Sequence, residues 1–238
     1  MTCVLSSADK LTNLEAEIVQ AILDWEPEGP TLLTRVDSTG RTPLHFAELY
    51  GSPHIVNLFM DYHASLGLVS ISANDGSFPV HDAAMEGGTR NVCELIKRCP
   101  NYFELVDDKG RNLLHRAVEH GKDSVVRHIC QNDELTMLLN ATDSEGNTPL
   151  HLAVEAGYPK NLSLLLATLS VDMGLTNNDG LTARDLSDIA RATGGIRYFL
   201  VNSAFFYYPS LTYLLCFVFG NSLLVKENGH LSLKYREI

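Results

Sequence analysis

Five glycines divide most of the chain into units of nearly equal length. They are Gly40, Gly76, Gly110, Gly146 and Gly180, separated alternately by 36 and 34 residues. Around each glycine lies a related stretch, and the most regular copy is DSEGNTPLHLAVEAG, residues 143–157. A repeat of this length is typical of a solenoid, in which each unit buries apolar surface only against its neighbours.

The most regular copy predicts a tight turn followed by a short helix. Asp143 accepts hydrogen bonds from amides just downstream, and Gly146 supplies a positive φ without steric cost. Thr148 is placed as an N-cap, with Pro149 at the first helical position, where its missing N–H costs nothing. Apolar residues then recur at helical spacing until Gly157 ends the helix. Such a helix is not stable alone in water and must pack against a partner.

The sequence supplies that partner in each unit as a second apolar helix. These second helices are predicted at Ile55 to Tyr62, Asn91 to Arg98, Ser124 to Cys130 and Asn161 to Leu169. Each unit therefore reads as a β-turn, a first helix, a short loop and a second helix. Stacking of the units would bury one continuous apolar stripe.

The turn and first helix resemble the TPLHxA signature of ankyrin repeats, whose period is about 33 residues. The resemblance implies an all-α ankyrin-repeat solenoid of about five stacked units, with a partial N-terminal unit and an apolar C-terminal segment. The repeat positions that would carry the architecture are Gly40, His45, Gly76, His81, Gly110, His115, Gly146, His151 and Gly180.

Three regions follow: a degenerate N-terminal repeat or cap at 1–36, the array at 37–190, and an apolar tail at 191–238. In the first region, Asn13 to Trp25 has the pattern of a second helix, with Leu14, Ile18 and Ile22 on one face. Its TPLH turn is missing, so residues 1–12 are either a degenerate first helix or a truncated start. In the fifth unit TARD replaces TPLH, and we expect its Arg and Asp to hydrogen-bond in place of the histidine.

The tail contains 28 residues without a charge, between Arg197 and Lys226. That length suffices to cross a bilayer. Asn202, Pro209 and Asn221 interrupt it, however, so two interpretations stay open for 198–225: a single transmembrane span, or a helix that packs on the last repeat. The residues after it are polar, and we expect a loose end.

Details of the units resemble one family more closely, the plant ankyrin and transmembrane proteins of the accelerated-cell-death and PGG-domain type. The resemblance rests on the alternating spacing, the DSEGNTPLHLAVEAGYP and NNDGLTARDLS units, and the apolar tail after the array. It implies a role in plant defence or stress signalling and a plasma-membrane location. The tail lacks the Pro-Gly-Gly motif and has room for at most one span.

The charge and the cysteines restrict the class of partner and the compartment. A net charge of −11 and a pI near 5.2 argue against nucleic-acid binding, which needs clustered Lys and Arg, and favour basic or neutral protein partners. The five cysteines form no CxxC pair, and the first residues do not read as a secretion signal. We expect a cytoplasmic or membrane-associated protein that is not secreted.

No motif predicts catalysis, a cofactor or a metal. The histidines of the repeats could suggest a metal site. However, stacking places them at successive positions along the array, so they would not bind one ion together. We expect each imidazole to bond turn backbone groups of its own or the next unit. No phosphate loop, nucleophile elbow or HExxH pattern occurs. The sequence therefore predicts a protein that is not an enzyme and has no cofactor.

By the geometry that the ankyrin resemblance implies, partners contact the turn tips and the exposed ends of the first helices. The predicted contact residues are Arg41, Tyr50, Met85, Glu86, Arg111, Glu119, His120, Glu145, Asn147 and Glu155. Glu86, Glu119 and Glu155 would form an acidic row, and Tyr50 and Met85 would be the apolar anchors.

The sequence thus predicts a protein-interaction scaffold that presents a concave surface. One alternative is a membrane-anchored signalling component held by 198–225. Another is a truncated product that competes with full-length relatives.

Overall fold

The computed structural model describes residues 7–25, 28–50, 52–62, 67–192, 222–227 and 230–235. The described helices are α1 (Ser7–Leu23), α2 (Pro43–Leu49), α3 (Pro53–Tyr62), α4 (Pro79–Glu86), α5 (Thr89–Arg98), α6 (Leu113–Glu119), α7 (Asp123–Cys130), α8 (Pro149–Ala156), α9 (Pro159–Leu166) and α10 (Ala183–Ala192). Short 3-10 helices follow α1, α3, α5 and α7, at Pro30–Thr34, Leu68–Ser70, Tyr102–Glu104 and Asp133–Leu138.

The helices stack as an ankyrin-repeat solenoid, which confirms the predicted fold class. First helices α2, α4, α6, α8 and α10 pack in that order, and second helices α3, α5, α7 and α9 form a parallel layer. We number the repeats 1 to 5 by their turn glycines. The predicted second helices are present with shifted bounds: α3 and α5 begin two residues earlier, and α9 ends at Leu166 instead of Leu169.

Each first helix begins where the turn and cap chemistry places it. Thr148 is the N-cap of α8 and Pro149 its first residue, as predicted, and Thr42 and Pro43 do the same for α2. Gly157 ends α8 in the left-handed conformation, with φ of 67°. The turn glycine of the same unit, Gly146, has φ of 78°.

Small residues let neighbouring first helices approach closely. The fifth residue after each helix cap is an alanine or a serine with almost no exposure: Ala47, Ala83, Ala117, Ala153 and Ser187. Three positions earlier the first four repeats carry a buried apolar side chain: Leu44, Val80, Leu114 and Leu150. Complete burial of one such side chain stabilises a fold by about 2 kcal/mol. The core is therefore a stripe that runs along the array.

The N-terminal region is one continuous helix that packs differently from the prediction. Residues 7–12 belong to α1, so they do not form a separate first helix. Ile18 and Ile22, the predicted packing face, are exposed, and Val19 and Leu23 contact the core instead. Both pairs have helical spacing, and the choice depends on how α1 lies against α3. The α1 helix occupies the place of a second helix.

Of the tail, the structure describes residues 191–192, 222–227 and 230–235. Strands β1 (Ser222–Glu227) and β2 (His230–Tyr235) form an antiparallel pair in which Ser222 is opposite Tyr235. Residues 222–225 of the predicted 198–225 helix are thus in a strand, and the polar end is paired. The rest of that segment lies outside the described residues. None of the described helices combines the length and apolar character that crossing a bilayer requires.

Candidate functional site

Three of the repeated histidines, His45, His115 and His151, connect their repeat to the next. The Nδ1 of His115 accepts the backbone N–H of Asn112, at 3.2 Å, and its Nε2 lies 3.1 Å from the carbonyl oxygen of Asn147 in repeat 4. His45 and His151 make the equivalent contacts to Ser77 and Leu181, both at 3.1 Å. Because Nδ1 accepts a hydrogen bond from the backbone, the ring proton is on Nε2, which donates to the next repeat.

Burial keeps these imidazoles neutral. It lowers the pKa of His81 and His115 to about 4 and also lowers the pKa of His45 and His151. His45, His115 and His151 thus bond backbone groups of their own and the next unit, as predicted. His81 accepts the N–H of Phe78 in its own unit, but among the described residues its Nε2 has no hydrogen-bond partner. In the described residues, no group of three or more His, Cys, Asp or Glu side chains could hold a metal ion.

The turns form a second connection, on the outer edge of the array. Asp143 Oδ1 accepts the backbone N–H groups of Glu145 and Asn147 at 3.0 and 2.8 Å, which closes the turn around Gly146. The N–H of Ser144 then donates to the carbonyl of Lys109 in the preceding turn, at 2.8 Å. The tips that would contact a partner are thus held in a fixed register.

The predicted acidic row is wrong at its central member. Glu119 is already paired: Arg111 Nη1 lies 2.7 Å from its Oε1, and Arg116 Nη1 lies 3.2 Å from its Oε2. Burial by itself would raise the pKa of Glu119, but the hydrogen bond and charge of Arg111, with the charge of Arg116, lower it below the ordinary value. The Nε2 atom of His120 lies 3.9 Å from Glu119 Oε2. At the centre of the first-helix face, the charge of Glu119 is therefore already compensated by the two arginines in this cluster.

Met85 belongs to the same cluster. Its sulfur lies 3.5 Å from Arg116 Nη2, and its side chain is only partly exposed. The structure thus brings together four of the predicted residues, Met85, Arg111, Glu119 and His120, around an arginine that the sequence analysis did not select.

Exposed carboxylates lie on either side of this cluster. Glu86 is exposed at the end of α4, and Glu145 and Glu155 are exposed in repeat 4. Burial raises the pKa of Glu155, and the nearby charges of Glu145 and Asp143 raise it further, against the opposing charge of Arg111. Negative charge is therefore concentrated in repeat 4.

Asn147 is not a contact residue, contrary to the prediction. It is 2% exposed, its backbone N–H is bonded to Asp143, and its side-chain oxygen accepts from Asn177 Nδ2 at 3.0 Å. Its position beside the turn tip suggested exposure, but the next repeat covers it. A partner cannot reach this side chain.

Arg41 and Tyr50 lie at the N-terminal edge of the array. Arg41 Nη2 is 3.0 Å from Asp75 Oδ2, and its Nε is 3.7 Å from the buried Asp82 Oδ2. Tyr50 is 82% exposed and stacks on Phe46, with ring centres 6.5 Å apart. Tyr50 is thus available as an anchor but is separated from the charged cluster by repeat 2.

Two buried acids were missed. Glu48 and Asp82 have no exposed surface, although alanine or valine fills most equivalent positions of Glu48. Glu48 Oε2 accepts from Asn91 Nδ2 at 2.7 Å, and burial raises its pKa to about 8. Burial raises the pKa of Asp82 to about 6, opposed by the charge of Arg41. One feature of the sequence could have indicated Asp82. The same position of three successive repeats is occupied by Phe46, Asp82 and Arg116, so its chemical character changes from repeat to repeat.

The fifth repeat replaces the histidine as the sequence suggested. Asp185 Oδ2 accepts the backbone N–H and the hydroxyl of Thr182, at 2.9 and 2.6 Å. This acid completes the helix cap, but an ionised carboxylate cannot donate to a further repeat.

The comparisons with known proteins agree with this geometry. The family described as "Ankyrin repeat" matches residues 39–71, and the family described as "Ankyrin repeats (3 copies)" matches residues 80–177. These matches together span more than half of the sequence, and the chain belongs to the ankyrin-repeat proteins.

Two relatives show how small a part of a longer ankyrin protein this chain resembles. Human transient receptor potential cation channel subfamily A member 1 is 33% identical over 149 residues, which are 62% of this chain and 13% of the relative. Mouse Rabankyrin-5 is 30% identical over 141 residues, 59% of this chain and 12% of the relative. The chain thus matches about an eighth of each.

A solved structure supports the architecture. The crystal structure of EF0377, an ankyrin repeat protein, superposes with a TM-score of 0.62 over 83% of this chain and 92% of that one. At 22% sequence identity, this likeness concerns the fold alone.

Proposed function

We propose that the chain is a protein-binding scaffold that holds a basic segment of its partner against the first-helix face of repeat 4. Ankyrin repeats generally mediate binding to other proteins, and the fold is typically a non-enzymatic interaction module. The observation that carries the proposal is the concentration of negative charge at Glu145 and Glu155 in one repeat.

The charge pattern defines where a cation would be favoured. The carboxylates of Glu145 and Asp143 oppose ionisation of Glu155, so a lysine or arginine of a partner would stabilise all three. Glu119 attracts a partner's cation less strongly, because Arg111 and Arg116 already compensate its charge. Tyr50, Met85 and Glu86 would extend the contact along the array.

Charge reversal tests the proposal. The double variant Glu145→Lys, Glu155→Lys should bind a captured basic partner at least about tenfold more weakly, and the difference should shrink at high salt. The control Glu94→Lys, Glu104→Lys changes the net charge equally, at the second helix α5 and after it. Equal loss in both double variants would mean that net charge alone matters and would contradict the proposed site.

The resemblance to the plant family adds a finer proposal. It places the scaffold in defence or stress signalling, either in the cytoplasm or at the plasma membrane with 198–225 as an anchor. A truncated competitor of longer relatives is the further alternative. Alkaline carbonate extraction separates these: an anchored protein stays with the membranes, and release of the intact protein to the supernatant would exclude a span.

A further inference from the structure

An open apolar groove lies at the N-terminal edge of the array. It has a volume of about 580 Å³ and is lined mainly by Val36, Pro43, Phe46, Ala47, Tyr50 and Phe59. Val36 and Tyr50 are strongly exposed, although both are apolar or aromatic. An exposed apolar groove of this kind marks an interaction site in a soluble domain.

The groove is the stacking face of repeat 1. In later repeats the same face is covered, since α2 packs on α4, α4 on α6 and α6 on α8. Here α1 lies against α3 and so takes the place of a second helix. In the described part of the chain, no first helix precedes α2.

At the same edge, one backbone donor in the turn of repeat 1 lacks the bond that its equivalents make among the described residues. In each later repeat, the amide two residues before the turn glycine donates to the preceding turn: Asn74 to Thr39, Asp108 to Asp75, Ser144 to Lys109 and Asn178 to Glu145, at 2.8 to 3.1 Å. The equivalent amide in repeat 1 belongs to Ser38. It has no acceptor among the described residues.

A backbone acceptor is also incompletely used. The carbonyls of Ser77, Asn147 and Leu181 each accept two bonds, one from their own turn and one from the histidine of the preceding repeat. Arg111 in repeat 3 is the exception, because His81 Nε2 has no hydrogen-bond partner among the described residues. The equivalent carbonyl in repeat 1 is that of Arg41, which accepts the N–H of Asp37 at 3.0 Å. Among the residues that the structure describes, no second donor reaches this carbonyl, and a histidine could use its second lone pair.

We propose that this edge binds a partner protein through an ankyrin-type turn and first helix that carries the repeat histidine. The partner's turn carbonyl would accept from Ser38 N–H, its histidine Nε2 would donate to the Arg41 carbonyl, and its apolar helix would fill the groove against Phe46 and Tyr50. This surface differs from the first-helix face of repeat 4. A result that overturns one of the two proposals therefore does not overturn the other.

The same hydrogen bonds disfavour a second copy as the occupant. A second copy would present its fifth repeat, in which Asp185 stands at the histidine position. Its carboxylate is engaged by Thr182 and has no proton to donate to Arg41. A histidine-bearing repeat of another protein fits the groove better.

The test uses the full chain, labelled with ¹⁵N, and a synthetic peptide with the sequence of residues 143–157 as a stand-in for the partner. Because an isolated helix of this length is marginal in water, the titration extends into the millimolar range. We expect amide shifts centred on Ser38, Arg41, Phe46 and Tyr50, and slower solvent exchange at Ser38. A peptide with aspartate at the histidine position should bind about tenfold more weakly.

Two variants make the outcome decisive. Phe46→Glu, checked for folding by circular dichroism, should abolish the shifts, and Glu145→Lys should leave them unchanged. Shifts that are absent from Ser38, or that move to repeat 4, would overturn the proposal. Concentration-dependent self-association of the chain, lost in Phe46→Glu, would identify a second copy as the occupant and would also overturn it.

Discussion

His115 in repeat 3 reaches the backbone carbonyl of Asn147 in repeat 4, with 3.1 Å between Nε2 and the oxygen. The same ring accepts the N–H of Asn112 at the cap of its own helix, at 3.2 Å. One buried side chain thus forms hydrogen bonds with backbone groups of two repeats, and it couples the stability of one repeat to that of the next.

Replacing His115 should destabilise the array. His115→Ala removes both bonds, leaves the Asn112 amide without its partner and opens a cavity, so we expect the free energy of unfolding to fall by about 2–4 kcal/mol. Urea denaturation measures the change. His120→Ala, at an exposed neighbour, is the control and should change stability by less than about 0.5 kcal/mol. Equal effects in both variants would contradict the role of the interrepeat bond.

Acid should weaken the array through its buried histidines. The pKa of His81 and His115 is about 4 in the fold and about 6.5 in the unfolded chain, so the unfolded chain binds more protons between these values. The stability they provide is complete above pH 6.5 and is lost as the pH falls towards 4. Urea midpoints at pH 7 and 4.5 should show this loss. His115→Gln should lose less than the wild type on acidification, and an equal loss would be the contrary result.

Alkali should weaken repeat 1 through Glu48. Its pKa of about 8 lies above the ordinary value of 4.5, so the folded chain binds more protons than the unfolded chain between these values. The stability that this proton provides falls from pH 4.5 upward, and its loss is complete above about pH 8. Glu48→Gln keeps an oxygen for Asn91 without a titrating group. Between pH 7 and 9.5 the wild type should lose at least about 1 kcal/mol more stability than Glu48→Gln. Parallel pH profiles of thermal unfolding would show that Glu48 does not titrate there.

The turn glycines offer a matched pair of substitutions. Gly146 and Gly180 have similar φ angles, 78° and 74°. A methyl group at Gly146 would lie 2.6 Å from Asn178 Oδ1 and 2.7 Å from its backbone nitrogen, whereas at Gly180 no described atom lies within 4 Å. Both alanine variants should incur the cost of the left-handed backbone, about 1–2 kcal/mol. Gly146→Ala should lose more, because the contact also disturbs the bond between adjacent turns. If urea denaturation showed similar losses of unfolding free energy in both variants, the structure would accommodate the methyl group at Gly146 without a measurable additional cost.

The local signals predicted the fold well because they act over a few residues. A turn glycine, a helix cap and a proline at the first helical position determine backbone conformation within four or five residues, as the Thr148 and Pro149 start of α8 shows. The candidate site was less predictable. Exposure of Asn147 depends on Asn177 in the next repeat, and the packing face of α1 depends on α3.

By itself, the sequence determined the repeat, its turns, its helix starts and the place of each histidine, since these follow from local backbone chemistry. Only the tertiary structure decided which charges remain available to a partner. Glu119 ends its first helix, and only the folded chain shows that Arg111 and Arg116 pair with it. It also showed that no described first helix covers the stacking face of repeat 1, because burial and pairing depend on which repeat lies next to which.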